Sequence, residues 1–444
     1  MPKHSFHGGI HPKCGKDTGK WSTKNSAIRE FMPETVCIPV GMHIGAPSEP
    51  CVKKGDLVKI GQVIGTAVGP LGLPVHASIS GEVTAVEKIP YLMKEPVTVV
   101  SIKNDFREEW VELNPLGSVE SVDPALIIPA IRDAGVCGMG GASFPTHVKL
   151  SLKPGQKCNI IIVNGAECET HLTADHRLML EYPQRIVDGL RAAMRALNVE
   201  NGVIAIEDNK PDAIEAMKRA ASGRDGVQVC ELKTKYPQGG EKQLIDAVTK
   251  KQVPSGGLPI DIGVIVLNVG TCAAIADAII DGMPLIKRIT TITGCVRHPA
   301  NLMLPVGTIV EDIIGYLGGF PEEPGKITFG GAMTGLCIPN MQIPMMKSTN
   351  GIVVFNEREA MSMEEGPCIR CAKCVRACPI GLNPYRIKVE ADADRLDAAK
   401  KLNVMDCMLC GCCSYVCPSR RWLSASFKIV KEKLIRQAKG GQKA

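Results

Sequence analysis

The sequence predicts a multidomain α/β plus β protein that ends in a helical, cysteine-rich module, and three observations carry that prediction. The chain has 444 residues, more than one hydrophobic core usually supports, so several domains are expected. Its apolar pattern changes along the chain. Short Val/Ile runs between Gly, Pro and Asp turns come first, then apolar runs that alternate with helical periodicity, then short glycine-rich β-like pieces. Finally, cysteines concentrate near the C-terminal end.

Composition narrows the function classes. With 45% hydrophobic and 22% charged residues, the chain has ample apolar surface to bury and is not a disordered protein. The net charge of +6 is modest and dispersed, which points to an acidic protein partner or anionic ligand rather than to nucleic acid. No run of about 18 apolar residues occurs, and the start, "MPKHSFHGGIHPK", lacks the apolar region of a secretory signal. The chain itself therefore reads as soluble. The most apolar stretch, 260–280, is interrupted by Asp261, Asn268 and Asp277, as a buried strand followed by a helix would be. Nineteen cysteines without a signal indicate a reducing compartment, where clustered thiols bind metal.

In chain order, residues 1–31 form a leader in which His7 and His11 read as surface or packing groups, two histidines being too few for a metal site. Residues 32–118 contain "VKKGDLVKIGQVIG" and "PVHASISGEVTAV", short strands at the spacing of a small sandwich or barrel. The pattern resembles the barrel-sandwich hybrid of lipoyl and biotinyl domains. The carrier lysine of those domains has no match near "HASIS", so a structural or docking role is expected. Residues 119–286 are α/β: "NIIIVNGAE" and "IGVIVLNVG" read as buried parallel strands, "PQRIVDGLRAAMRAL" and "KPDAIEAMKRAAS" as helices. Ligands of such sheets sit at the carboxyl ends of the strands, where Asn164, Glu167 and Asn268 fall. Residues 287–356, with "KITFGGAMTG" and "GIVVF", suggest a small α+β module. Residues 357–425 are helical and cysteine-rich, and 426–444 form a basic amphipathic helix and tail, solvated or facing a neighbouring protein.

The cysteines give the strongest signal. Cys368, Cys371, Cys374 and Cys378 precede Pro379, and Cys407, Cys410, Cys413 and Cys417 precede Pro418, so both motifs follow C-x2-C-x2-C-x3-C-P. Iron cubanes take four soft thiolates, and the x2 spacing brings three of them to one cube from a single turn of chain. In two-cluster ferredoxins the fourth ligand crosses over. One [4Fe–4S] cluster is thus assigned Cys368, Cys371, Cys374 and Cys417, the other Cys407, Cys410, Cys413 and Cys378. Cys412 falls off the repeat and is expected to be a bystander. A pair of zinc sites would not need the third cysteine and the proline in both halves. The 28 residues between Cys378 and Cys407 include a helix-like "EADADRLDAAKKLN", which favours a helical ferredoxin-like module.

A second constellation lies at 135–149, "GVCGMGGASFPTHVK". Gly138, Gly140 and Gly141 would let main-chain N–H groups close on a phosphate or flavin, Phe144 could stack on a planar base, and Lys149 could neutralise a phosphate. The string resembles the "GRGGAGFPTGLK" loop of the flavin-binding, NADH-oxidising subunit of respiratory complex I. Three further stretches in the same order are similar to that family: "VNGAECETHLTADHR", "YPQGGEKQLI" and "LNVGTCAAI". The resemblance implies noncovalent FMN, with Asn164 and Asn268 at the isoalloxazine edge, Lys149 and Thr271 at the polar tail, and Tyr236, Gly239, Gly240 and Glu241 framing the pocket. It likewise implies Phe144 on the adenine of NAD(H), with Glu167 and Glu169 near its ribose or ring. Met139, Ala166 and Gly240 depart from that family's arginine, aspartate and glutamate, so the dinucleotide contacts are less secured than the flavin contacts.

Over nearly the whole chain, the order of barrel-sandwich hybrid, flavin domain, soluble-ligand-binding-type β-grasp module and paired ferredoxin motifs resembles the RnfC family, down to the leader "FHGGIHP". The extra cluster and the barrel set it apart from the complex I protein. The resemblance implies a peripheral electron-transfer subunit of an ion-translocating ferredoxin:NAD+ oxidoreductase on the cytoplasmic face of the membrane. Its partners would be integral-membrane and iron–sulfur subunits, with ferredoxin as electron source or sink. FMN would exchange a hydride with NAD(H) and the two clusters would carry single electrons, with no side chain acting as acid or base. Two alternatives stand beside it: a soluble flavoprotein reductase acting on cobalamin or for an amino-acid reductase, and a non-catalytic electron-conducting scaffold.

Overall fold

The computed structural model describes residues 4–13, 16–92, 94–361 and 364–440. At its centre is a parallel four-stranded sheet in the order Val227–Leu232, Gly202–Glu207, Ile160–Gly165, Val264–Asn268. Helices cover both faces, so the inner strands carry unbroken apolar runs; Ile161, Ile162, Val163, Ile204 and Ile206 are all fully buried. The register sets Asn268 opposite Asn164, which brings the two strand ends predicted as ligand positions side by side. Stretch 260–280 is a strand followed by the helix Val269–Ala276. That helix is pressed against Pro183–Leu197, where a Cβ on Gly189 would lie 1.7 Å from the Cys272 carbonyl oxygen. Only glycine permits the approach.

The N-terminal barrel consists of two antiparallel sheets, one of four strands and one of three, closed over Val36, Ile38, Ile64, Ile79, Val100 and Ile102. It is wedged against the glycine-rich module that follows the central α/β domain: Cys37 N–H donates to Gly307 O at 2.8 Å and Ser78 Oγ to Val306 O at 2.6 Å. That module is built on a six-stranded mixed sheet whose edge strand, Ile28–Glu30, comes from the leader and pairs in parallel with Ala300–Pro305. This part of the leader is thus built into the module instead of standing apart.

The C-terminal module is helical, with no strand among its described residues. Its last helix, Leu423–Gly440, runs through the expected division at 425/426 and buries Leu423, Phe427, Val430 and Leu434 against Ile387 and Val404. The 4-3-4 spacing is that of one helix face. Its apolar side is therefore spent inside the module, while residues 441–444 of the predicted tail lie outside the described residues. No helix among the described residues is long and apolar enough to cross a membrane.

The segment from His4 to Ile10 straps the central α/β domain to the cysteine module. His4 bridges Leu232, Ile10 and Tyr236 exchange two main-chain hydrogen bonds of 2.8 and 2.9 Å, and Gly9 N–H donates to Ala377 O at 3.0 Å. Gly8, at φ 72°, passes so close to Cys378 that a Cβ would lie 2.5 Å from its carbonyl oxygen. His7 and His11 are exposed.

Candidate functional site

The two cysteine motifs fold as near copies. Arg370 and Leu409 have φ of 55° and 59°, and Ala372 and Gly411 have φ of 58° and 79°. Left-handed residues at matched places turn the chain around a central point, and three of the four are not glycine, a conformation that costs roughly 1 kcal/mol each and needs a surrounding reason. Cys368, Cys371, Cys374 and Cys417 line one pocket; Cys378, Cys407, Cys410 and Cys413 line another. The fourth cysteine of each motif thus stands with the first three of the other. Four soft donors around a space of this kind suit a cubane. Among the described residues no three His, Cys, Asp or Glu side chains converge closely enough to hold a single metal ion. Cys412 borders the second cavity, but its Sγ is directed at Tyr236 O, 3.9 Å away.

The glycine-rich loop lies over the carboxyl ends of the central strands. Gly138 N–H donates to Phe144 O at 2.8 Å, closing the loop at its base, and Met139 N–H donates to Thr271 Oγ1 at 2.9 Å, tying it to the helix after Asn268. A Cβ on Gly140 would lie 3.5 Å from that of Asn268, one on Gly239 would lie 3.4 Å from Asn164 Oδ1, and Gly141, at φ 111°, faces open space. The main chain of this loop is therefore bare toward whatever occupies the strand ends. Lys149 Nζ donates to Glu241 Oε1 at 2.8 Å and to Val266 O at 2.7 Å. Asn164 Nδ2 donates to Gly239 O at 2.8 Å, while Asn268 accepts from Gly270 N–H at 2.9 Å and donates to Asp175 Oδ2 at 2.7 Å. The structure thus brings Gly138, Gly140, Gly141, Lys149, Asn164, Gly239, Glu241, Asn268 and Thr271 to one edge of the sheet.

Other predicted residues have different engagements. Glu167 has a buried carboxylate that accepts from the N–H groups of Asp175 at 2.7 Å and His176 at 3.3 Å. It caps the helix Ala174–Glu181 because the hydroxyl of Thr173, which precedes that helix, is already bonded to Thr23 and Asn301. Glu169 is buried among Thr334, Met333 N–H and the Tyr236 hydroxyl, and burial holds its carboxyl above the usual range. Tyr236 points at the cysteine module, donating to Cys410 O at 2.8 Å. Gly240 also faces that module, where a Cβ would meet the Met408 Cε at 2.6 Å. The second cysteine pocket is therefore the one that abuts the central α/β domain.

Residues 4–107 match the RnfC barrel sandwich hybrid domain, 131–277 the Nuo51 FMN-binding domain, 289–336 the SLBB domain and 355–420 the 4Fe-4S dicluster domain. The chain is 43% identical, over 99% of its length and 99% of the relative's, to a component of the Na(+)-translocating ferredoxin:NAD(+) oxidoreductase complex of Acetobacterium woodii. The chain belongs to the RnfC family. It is also 45% identical, over 90% of this chain and 88% of the other, to a component of the proton-translocating ferredoxin:NAD(+) oxidoreductase complex of Clostridium ljungdahlii. A component of the ion-translocating oxidoreductase complex of Rhodobacter capsulatus is 42% identical over 91% of this chain and 78% of its own. Among solved structures, an NAD+-reducing [NiFe]-hydrogenase in its H2-reduced state shares the fold, with a TM-score of 0.52 at 19% identity, covering 72% of this chain and 63% of the hydrogenase chain.

Sequence reasoning misses two groups in this RnfC chain. Asp175, the partner of Asn268, is buried, and desolvation together with nearby Glu167 raises its carboxyl to about 6. It lies inside the quoted "VNGAECETHLTADHR", so the signal was present. Lys431 Nζ donates to Met405 O at 3.0 Å and also to Cys407 O. Only packing of the last helix reveals that ammonium beside the inner cysteine set.

Proposed function

We propose that this chain is the nicotinamide-nucleotide-facing subunit of an ion-translocating ferredoxin:NAD+ oxidoreductase, seated on the cytoplasmic face of a membrane through partner subunits. Ferredoxin would be the electron source or sink reached through those partners. Bound FMN supplies conversion between electron pairs and single electrons, and two [4Fe–4S] clusters supply single-electron carriage. The observation that carries the reading is contact: Tyr236, from the loop that borders the glycine-lined edge, is hydrogen-bonded to the main chain of Cys410.

The residues of this chain bind and position. The bare main chain of Gly140 and Gly141, on a loop closed at Gly138, admits a flavin nucleotide, with Asn164 and Asn268 at the ring edge, Lys149 and Thr271 at the phosphate end, and Gly239 and Glu241 around it, while Tyr236 and Gly240 join this frame to the cysteine module. Phe144 stacks the adenine of the dinucleotide. Glu167 and Glu169 act from behind the site, one by capping a helix and one by holding the β-grasp module and Tyr236 in place. Cys378, Cys407, Cys410 and Cys413 hold the cluster next to the nucleotide domain; Cys368, Cys371, Cys374 and Cys417 hold the outer one. Ile369 and Arg370 at the outer set are exposed, which suits transfer to a partner.

The test is anaerobic addition of NADH to the chain reconstituted with FMN and iron–sulfide. Bleaching of flavin and then cluster absorbance is expected; unchanged absorbance overturns the NADH step.

A further inference from the structure

The barrel has no part in the reading above, yet it reaches the glycine-rich loop. Ile44 N–H donates to Ser143 O at 3.0 Å, and Ser143 immediately precedes Phe144. Two exposed apolar crests are thereby set side by side: Ile-Gly-Ala-Pro at 44–47 and Gly-Gly-Ala at 140–142. Gly45 makes the barrel crest possible, because at φ 137° a Cβ would lie 2.9 Å from Leu71. Ile44 itself is 48% exposed, although its main chain is fixed. Behind it, burial beside Lys347 and His147 lowers His43 to about 4, so the base of the crest is uncharged at neutral pH.

A large aliphatic side chain held in water by an inter-domain hydrogen bond, one residue from an aromatic ring, is the kind of wall that planar bases enter. We propose that barrel residues 43–47 form the second wall of the dinucleotide site, with Ile44 covering the adenosine half of NAD(H) that Phe144 stacks. This rests on the nucleotide reading above and extends the site across two domains. The ligand class is a dinucleotide with an uncomplicated purine face; the pyrophosphate makes a negative charge at this wall unfavourable.

The test uses the full chain carrying FMN and both clusters. NAD+ does not react with the oxidised protein, so calorimetry reads binding alone. Ile44→Ser is expected to raise the NAD+ Kd about fivefold to tenfold, and Ile44→Asp to raise it further. FMN and iron contents stay at the unaltered level, and Leu57→Ser, at a barrel residue 79% exposed, leaves the Kd alone. A Kd within twofold of the unaltered protein in both Ile44 variants overturns the inference while leaving the nucleotide reading intact. Loss of FMN in those variants overturns it too, since the crest would then hold flavin. If the unaltered protein binds no NAD+ and is not bleached by NADH, the nucleotide reading itself falls and takes the inference with it.

Discussion

The hydroxyl of Tyr236 lies 2.8 Å from the carbonyl oxygen of Cys410, buried between the nucleotide domain and the cysteine module. A single hydrogen bond thus joins the pocket frame to a proposed iron ligand. The hydroxyl dipole, held beside the inner cysteine set, would add positive potential there and favour the reduced form of a bound cluster.

Tyr236→Phe keeps the ring and removes the donor. Leaving the carbonyl unpaired is expected to cost about 1–3 kcal/mol of domain docking and to lower the potential of the inner cluster. Redox titration followed by electron paramagnetic resonance should show one cluster signal shifted and the other unmoved. Two unmoved signals would place the inner cluster elsewhere.

Lys149→Ala should release flavin on gel filtration while iron content stays constant. The ammonium bridges Glu241 and Val266 O at the sheet edge, far in sequence from any cluster cysteine. Equal loss of flavin and iron would contradict the division of labour between domains.

Cys410→Ser should cost half of the iron, and Cys412→Ser none. Both thiols border the same cavity, but only one belongs to the repeat, and the Cys412 thiol is turned to Tyr236 O. Metal analysis of the two variants decides the assignment.

His76 gives a pH prediction. Burial, aided by Lys347, lowers it to about 3 against the opposing hydrogen bond at the Asp133 main chain. An imidazole whose folded pKa is depressed leaves the unfolded chain binding more protons between about pH 6.5 and 3, so stability falls as pH drops through that window. The loss is on the order of a few kcal/mol at full protonation. Thermal melts at about pH 7 and about pH 4.5, on either side of the unfolded imidazole pKa, should show a smaller acid penalty for His76→Gln than for the unaltered chain.

Much of this architecture was legible because its signals are local. Three of the proposed ligands of each cluster fall within one turn of chain, and strands covered on both faces must be continuously apolar, so the cysteine sets and the strands ending at Asn164 and Asn268 could be read directly. The carboxylates could not. Glu167 faces inward because Thr173 has spent its hydroxyl on Thr23 and Asn301, residues distant in sequence. Nor does any local pattern report Ile44 on Ser143, Lys431 on Cys407, or the last helix completing the cysteine module's core.

The strap at Gly8 to Ile10 has a consequence for biogenesis. Its partners at Ala377 and Cys378 leave the ribosome long after it does, so this short segment can pair with Tyr236 once the central α/β domain is made but must wait for its second set of partners until the cysteine module emerges. Because Cys378 is itself a proposed iron ligand, cluster insertion and closure of the strap would converge on the same residue, so that filling of the inner metal site would be coupled to the docking of this segment.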